Sequence, residues 1–330
     1  MKALLSTTAG GPETLSLDEI PPPAPQAQQL LVDVKAIGVN YPDVLIIQDR
    51  YQYRPPRPFA PGAEIAGVVR QVGAAVAGFS VGDHVIACCG WGGMAEQIAV
   101  DAARCTAIPS DIPFEKAAAL LFTYGTALYA LELRGELQAG ETLLVLGASG
   151  GVGLAAIELA KLMGARVIAA VSSQLKLDVA RGRGADAGIV YPREGVDSAA
   201  QKAFAEAIKS ASNGGPDVVC DNVGGDYAEP AVRSMAWAGR YLIVGFTAGV
   251  PKIPLNLPLL KGCQLVGVFW GEWMRREPAQ FSAASVKLVS MLHAGKVDPF
   301  ISKVLPLAEG ASAIRDLGSR SSVGKIVLTV

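Results

Sequence analysis

The chain has 330 residues, 51% of them hydrophobic and 18% charged, with 29 Lys and Arg against 30 Asp and Glu. That length exceeds the usual span of one hydrophobic core, so two domains are expected, and the apolar content excludes long disordered tails. A formal net charge of -1, with acids and bases interspersed, excludes the basic stripe of a nucleic-acid footprint and makes a small molecule the expected partner. No run approaches the roughly 20 apolar residues that cross a bilayer, and the opening MKALLSTTAGGPETL lacks the apolar core of a signal peptide. No membrane partner and a cytoplasmic location are therefore expected. The five cysteines, Cys88, Cys89, Cys105, Cys220 and Cys263, show no CxxC spacing, so they read as buried thiols rather than a disulfide framework or a zinc knuckle.

From Met1 to about Leu121, short apolar runs such as LLVDVKAIGVN and AEIAGVVRQVG stand between Gly- and Pro-rich turns, a pattern of strands. Pro21 to Gln29, PPPAPQAQQ, reads as a surface crossing before a strand. After Leu121, apolar strands alternate with Ala-rich segments of helical period. Thr142 to Ala148 (TLLVLGA) reads as a buried strand, Val152 to Met163 as a helix, ARVIAAV as the next strand and Gln174 to Arg183 as its helix. GIVYP, PDVVCDNVG, RYLIVGF and CQLVGVFW complete six strands, the pattern of an α/β, doubly wound parallel sheet. The tail from Gly271 holds one helical stretch, Phe281 to Ala294, and ends in the strand-like KIVLTV. Too small to stand alone, it is expected to return to the first domain.

The strongest chemical signal is LLVLGASGGVGLAAIELAKLMGA, in which a strand runs through Gly147-Ala148-Ser149-Gly150-Gly151-Val152-Gly153 into a helix. Glycines alone are a weak motif, but strand, loop and helix arrive in the order of a dinucleotide fold. Gly150 and Gly151 would let backbone N–H groups approach a pyrophosphate at the helix N-terminus, and Gly153 would let helix and strand pack closely. NAD sites place Asp or Glu after the second strand, about 20 residues beyond the loop, for the ribose hydroxyl. Here that stretch is Ser172-Ser173-Gln174-Leu175-Lys176, whose neutral donors and cation suit the 2'-phosphate of NADPH.

The stretches VKAIGVNYPDVL, PFAPGAEIAGVVRQVG, FSVGDHVIA, GGMAEQIAV, FTYGTALYAL, the ASGGVG loop and SRSSVGKIVL follow one another along the chain. In this order they resemble the zinc-free quinone oxidoreductase branch of the medium-chain dehydrogenase/reductase superfamily. The resemblance implies a Rossmann domain over 123–270, binding NADP(H), inserted into a mostly β, GroES-like catalytic domain made from 1–122 and 271–330. The active site is expected in the cleft between them. Zinc-dependent relatives carry a cysteine where this chain has Asn40 and Gly-His-Glu where it has Gly62-Ala63-Glu64. A catalytic zinc site needs about three ligands, and His84 and His293 are the only histidines, so no metal is expected. Carried over by resemblance, Asn40, Tyr41, Asp43, Tyr51 and Thr126 form the catalytic set near nicotinamide and acceptor. Thr126, Ser149, Gly150, Gly151, Val152, Ser172, Ser173, Lys176, Tyr191, Asn222, Phe246, Phe269, Gly271 and Arg320 form the cofactor set, with Lys176, Tyr191 and Arg320 around the adenosine 2'-phosphate and adenine.

Without a Lewis acid, the chemistry open to this chain is hydride delivery to an electron-poor acceptor, a quinone or an activated alkene such as an enone. Asn40, Tyr41, Tyr51 and Tyr53 stand as equal candidates to donate a hydrogen bond to the developing oxyanion. Two other readings remain open: an enoyl or acryloyl thioester reductase, with Arg275-Arg276 meeting a coenzyme A phosphate, and an NADPH-binding protein with a regulatory or structural role. CQLVGVFW reads as a long apolar strand at the sheet edge, which, together with the resemblance, implies a homodimer.

Overall fold

The computed structural model describes residues 1–193, 197–319 and 322–330. The chain divides into two compact units, Met1–Phe122 with Glu277–Val330, and Thr123–Arg276. Residues assigned from the sequence to the returning tail begin at 271, whereas the return falls after Arg276. The reason is a helix, Trp270–Arg276, that stays with the second unit.

Strands of the first unit are β1 (Lys2–Ser6), β2 (Leu15–Glu19), β3 (Gln29–Val39), β4 (Glu64–Val72), β5 (His84–Cys88), β6 (Gln97–Asp101) and β7 (Cys105–Ala107). The second unit contributes β8 (Thr142–Leu146), β9 (Arg166–Val171), β10 (Ala187–Val190), β11 (Val218–Asp221), β12 (Arg240–Ile243) and β13 (Gln264–Gly267). The tail then supplies β14 (Ile301–Pro306) and β15 (Lys325–Thr329) to the first.

Among the described residues, the sheet of the first unit runs β14-β15-β3-β4-β5-β7, with β6 also on β3. The eleven residues of β3 make it long enough to present one edge to two strands in turn: Gln29 to Asp33 pair with β6, and Ala36 to Val39 pair antiparallel with β15. Its other edge carries β4. Leu30, Ile37, Ile65, Val85 and Leu328 meet in one core, so the two chain ends are joined by burial as well as by ladder bonds. The pairing of β15 with the end of β3 brings Lys325 beside Asn40.

The second unit is a parallel sheet ordered β10-β9-β8-β11-β12-β13. Its strands are apolar along their whole length because both faces are covered, and Leu144, Ile168, Val219 and Tyr241 share the core with helix residues such as Phe204 and Ile208. The run CQLVGVFW, expected as one long strand, pairs over Gln264 to Gly267. Its partner β12 ends at Ile243, where Val244 N makes the last rung to Asp221 O of β11. Val268 N donates to Ile243 O as the last rung on β12, and Trp270 starts a helix two residues later.

Candidate functional site

In the second unit, the candidate cofactor residues cluster at the carboxyl ends of the parallel strands, where open α/β sheets bind ligands. Strand β8 ends at Leu146, and Gly147 then takes φ +68, where a Cβ would also meet Val223 Cγ2 at 2.8 Å. Helix Gly151–Leu162 follows. A Cβ on Gly153 would lie 2.4 Å from Gly147 O, so glycine alone lets this helix press onto the loop. At Gly150 the same construction meets only Gly147 O, at 3.5 Å, and the first N–H groups of a helix are those that find no acceptor within it. Ser149 is buried, and Gly150, Gly151 and Val152 are half-buried.

Asn222, directly after β11, ties this loop to the next one, its Nδ2 donating to Leu146 O at 3.0 Å. Asn222 Oδ1 is buried without a hydrogen-bond partner among the described residues. A buried acceptor in that state fits a ligand donor such as a ribose hydroxyl. The loop itself is pinned by Asp221, a residue the sequence reading missed. Its Oδ1 accepts from Val223 N at 2.7 Å and Gly224 N at 2.9 Å, and its Oδ2 accepts from the Tyr241 hydroxyl. Burial pushes the Asp221 pKa up against these three donors. Phe246 lies over Gly224, whose Cβ would come within 3.1 Å of Phe246 Cδ1. Phe246 and Phe269 are exposed, and Gly271 is half-buried.

At the end of β9, Ser173 caps helix Gln174–Gly182, its Oγ accepting from Lys176 N at 3.4 Å. Lys176 Nζ reaches Ser172 Oγ at 3.5 Å. This corner is therefore donor-rich, and residues 172–177 contain no carboxylate. Tyr191 follows β10 with its ring packed on Tyr227 at 4.6 Å and Phe204 at 5.5 Å, so much of its surface serves the core. Arg320 lies outside the described residues. Thr126 is buried in helix Leu121–Leu128.

In the first unit, Asn40 and Asp43 stand at the start of helix Tyr41–Ile46, and both are buried. Asp43 Oδ2 accepts from Asn40 N at 2.8 Å and Oδ1 from Gly62 N at 2.9 Å. Burial raises its pKa to about 6, opposed by those two N–H groups and by Lys325, and assisted by Glu64. Asn40 Nδ2 donates to Gly38 O at 2.9 Å and to Glu64 Oε2 at 3.1 Å, while its Oδ1 accepts from Lys325 Nζ at 2.8 Å. The amide orientation follows from this chemistry, since a flip would set its NH2 against an ammonium and its oxygen against a carboxylate. Both amide hydrogens are thus committed inside the protein. Tyr51 packs against the core beside Tyr53, with ring centroids 5.8 Å apart. Burial first, then Tyr53 and Asp43, push its pKa to about 12. No described residue is shown hydrogen-bonded to its hydroxyl. Tyr41 is half-buried and Tyr53 exposed.

Among the described residues, no three His, Cys, Asp or Glu side chains gather as a metal ion would require. The five cysteines are free, and burial raises the pKa of each.

A parallel sheet in this order, with a glycine loop opening a helix after its central strand and an unpaired acceptor beside it, defines a dinucleotide-binding Rossmann unit. The family model of an alcohol dehydrogenase GroES-like domain matches residues 26–110, and that of a zinc-binding dehydrogenase matches residues 151–290. Quinone oxidoreductase-like protein 2 of Bos taurus is 36% identical over 318 residues, 96% of this chain and 89% of its own length. A mycobacterial protein solved in complex with NADPH superposes with a TM-score of 0.92 at 30% identity, over the whole of both chains. The Escherichia coli quinone oxidoreductase, also solved with NADPH, gives 0.90 at 28% identity, again over the whole of both. The chain belongs to the quinone oxidoreductase-like family of the medium-chain dehydrogenase/reductase superfamily.

Proposed function

We propose that this protein is an NADPH-dependent oxidoreductase that reduces a quinone or an activated alkene such as an enone, without a metal. The observation that carries the reading is the donor-rich corner of Ser172, Ser173 and Lys176 beside a glycine loop built for a diphosphate. A carboxylate there would repel the 2'-phosphate, whereas hydroxyls and an ammonium hold it. Asn222 Oδ1 supplies the matching acceptor for a sugar hydroxyl. The family relatives solved with NADPH support the same coenzyme.

When bound, the nicotinamide supplies the hydride. This chain's part is to hold the coenzyme and to stabilise the negative charge that develops on the acceptor's oxygen. Asn40 has no N–H left for that task. The Tyr51 hydroxyl does, and a pKa near 12 keeps it protonated at neutral pH. We therefore assign the oxyanion contact to Tyr51, with Tyr41 and Tyr53 lining the same segment and Thr126 on the coenzyme. The metal-independent reading rests on residue identity: Asn40 and Ala63 stand where zinc-dependent relatives carry ligands, and Asn40 Oδ1 already accepts from an ammonium. Arg275 and Arg276, candidates for a coenzyme A phosphate, are both held by Glu272 of their own helix at 2.6 to 2.9 Å, so this pair does not favour a thioester acceptor.

We also propose a homodimer paired through the edge of β13, the last strand of its sheet; Leu255, Leu259 and Leu260, in the segment that leads into β13, and Trp237 are exposed. The proposed activity is tested by following NADPH oxidation with a quinone, an enone and an enoyl-CoA in parallel. Turnover with the first two above the third is expected. Turnover confined to the thioester, or coenzyme binding without turnover on any of the three, would contradict it.

A further inference from the structure

Lys325 and Glu64 are separated by 261 residues in sequence, yet their side chains form an ion pair at 3.1 Å with 4% and 0% exposure. All three ammonium hydrogens are used, on Glu64 Oε2, on Asn40 Oδ1 and on Val39 O at 3.1 Å. Glu64 turns its other oxygen to the backbone N–H of Phe122 at 2.8 Å, in the first turn of helix Leu121–Leu128. The pair thus fixes the end of β3, the turn that begins at Asn40, the start of β4 and the start of that helix. There is no slack around it. A Cβ on Gly38 would lie 2.0 Å from Ala118 O, 2.6 Å from Glu64 Oε2 and 3.0 Å from Lys325 Nζ.

A buried ion pair is a weak device for stability, because well-packed apolar side chains serve as well without the desolvation cost. Here it does something apolar side chains could not: it sets the direction of the Asn40 carboxamide, whose backbone N–H is in turn held by Asp43. We infer that Lys325, paired with Glu64, is a positioning residue of the reduction site, acting through Asn40 on the Asn40–Asp43 turn and on Tyr41 that follows it. This rests on the proposed reductase reading. Asn40 then contributes shape rather than a hydrogen bond to the acceptor. Freeing the turn misplaces the reacting partners while the dinucleotide loop, in the other unit, keeps its own structure.

The test compares the wild type with Lys325→Arg and with the charge-free double variant Lys325→Met/Glu64→Gln. Coenzyme affinity is measured by NADPH titration, and kcat and acceptor KM are measured with a quinone and normalised to NADPH-binding sites. The double variant is expected to bind NADPH within about twofold of wild type while kcat falls about ten- to hundredfold. Lys325→Arg, which keeps the charge but not the ammonium geometry, is expected to lose about three- to tenfold in kcat. A purely structural pair would lower the melting temperature and leave kcat per binding site unchanged, which would overturn the inference. If the double variant does not fold, Lys325→Arg decides by the same criterion. A wild type that fails to bind NADPH removes the reductase reading and this inference with it. A wild type that turns over alongside variants of equal kcat removes the inference alone.

Discussion

Asp43 sits where a carboxylate is expensive, and its protonation links the site to pH. Its folded pKa of about 6 lies above the ordinary 3.8, so between these values the folded chain binds more protons than the unfolded one. The stability this carboxyl contributes is fully present below about pH 4 and is lost as pH rises through about 6. The effect is worth up to about 3 kcal/mol. Asp43→Asn removes the titration. Urea unfolding at pH 4.5 and 7.5 is expected to show wild-type stability falling relative to the variant as pH rises, and a gap independent of pH would refute the assignment. The groups facing Asp43 include Glu64, Lys325, Tyr51 and Cys89. Of these, Tyr51 was named as a candidate by family resemblance, and Glu64 appeared only as the residue following a missing zinc ligand. Lys325 carried one faint signal, a cation at the head of the apolar strand KIVLT. Chain separation hid the pair, because only the antiparallel docking of β15 on β3 brings residue 325 to residue 40. Asn40 was read as a possible donor because composition does not show that both its hydrogens are already spent.

At the scale of elements, the parallel strands were the most legible part of the chain. Burial on both faces makes β8, β9, β11 and β12 continuous apolar runs, and the glycine loop announces the turn between β8 and its helix. Strand ends were less legible. CQLVGVFW stays apolar past the point where pairing stops, since its second half enters a helix whose Trp270 and Trp273 are buried. Among the described residues β13 is the edge strand of its sheet, and the helix that precedes it in sequence, Asn256–Lys261, exposes Leu259 and Leu260. Trp237 joins this patch, its ring 3.1 Å from where a Cβ on Gly262 would stand. Exposed apolar side chains next to an open edge favour pairing with a second copy. Light scattering at micromolar concentration is expected to give a dimer for the wild type and a monomer for Leu259→Asp/Leu260→Asp. A monomeric wild type would reject the interface.

For the molecule as a whole, two units with a tail returning to the first were expected because the texture changes near Leu121 and the last residues are too few to fold alone. The position of the return was less legible, as helix Trp270–Arg276 stays with the second unit while the residues from Glu277 belong to the first. Side chains from distant segments also build the loop around Asn222. Its Asp221 and Tyr241 anchors are 20 residues apart and carry no motif that marks them as partners. The account depends on the coenzyme that we propose this loop and the corner at Ser172 and Lys176 hold. A side-by-side fluorescence titration of the wild-type protein with NADPH and NADH tests it most directly. Saturable NADPH binding, with NADH at least about tenfold weaker, is predicted from the added phosphate contacts. Equal or tighter binding of NADH, or no binding of either, would contradict it.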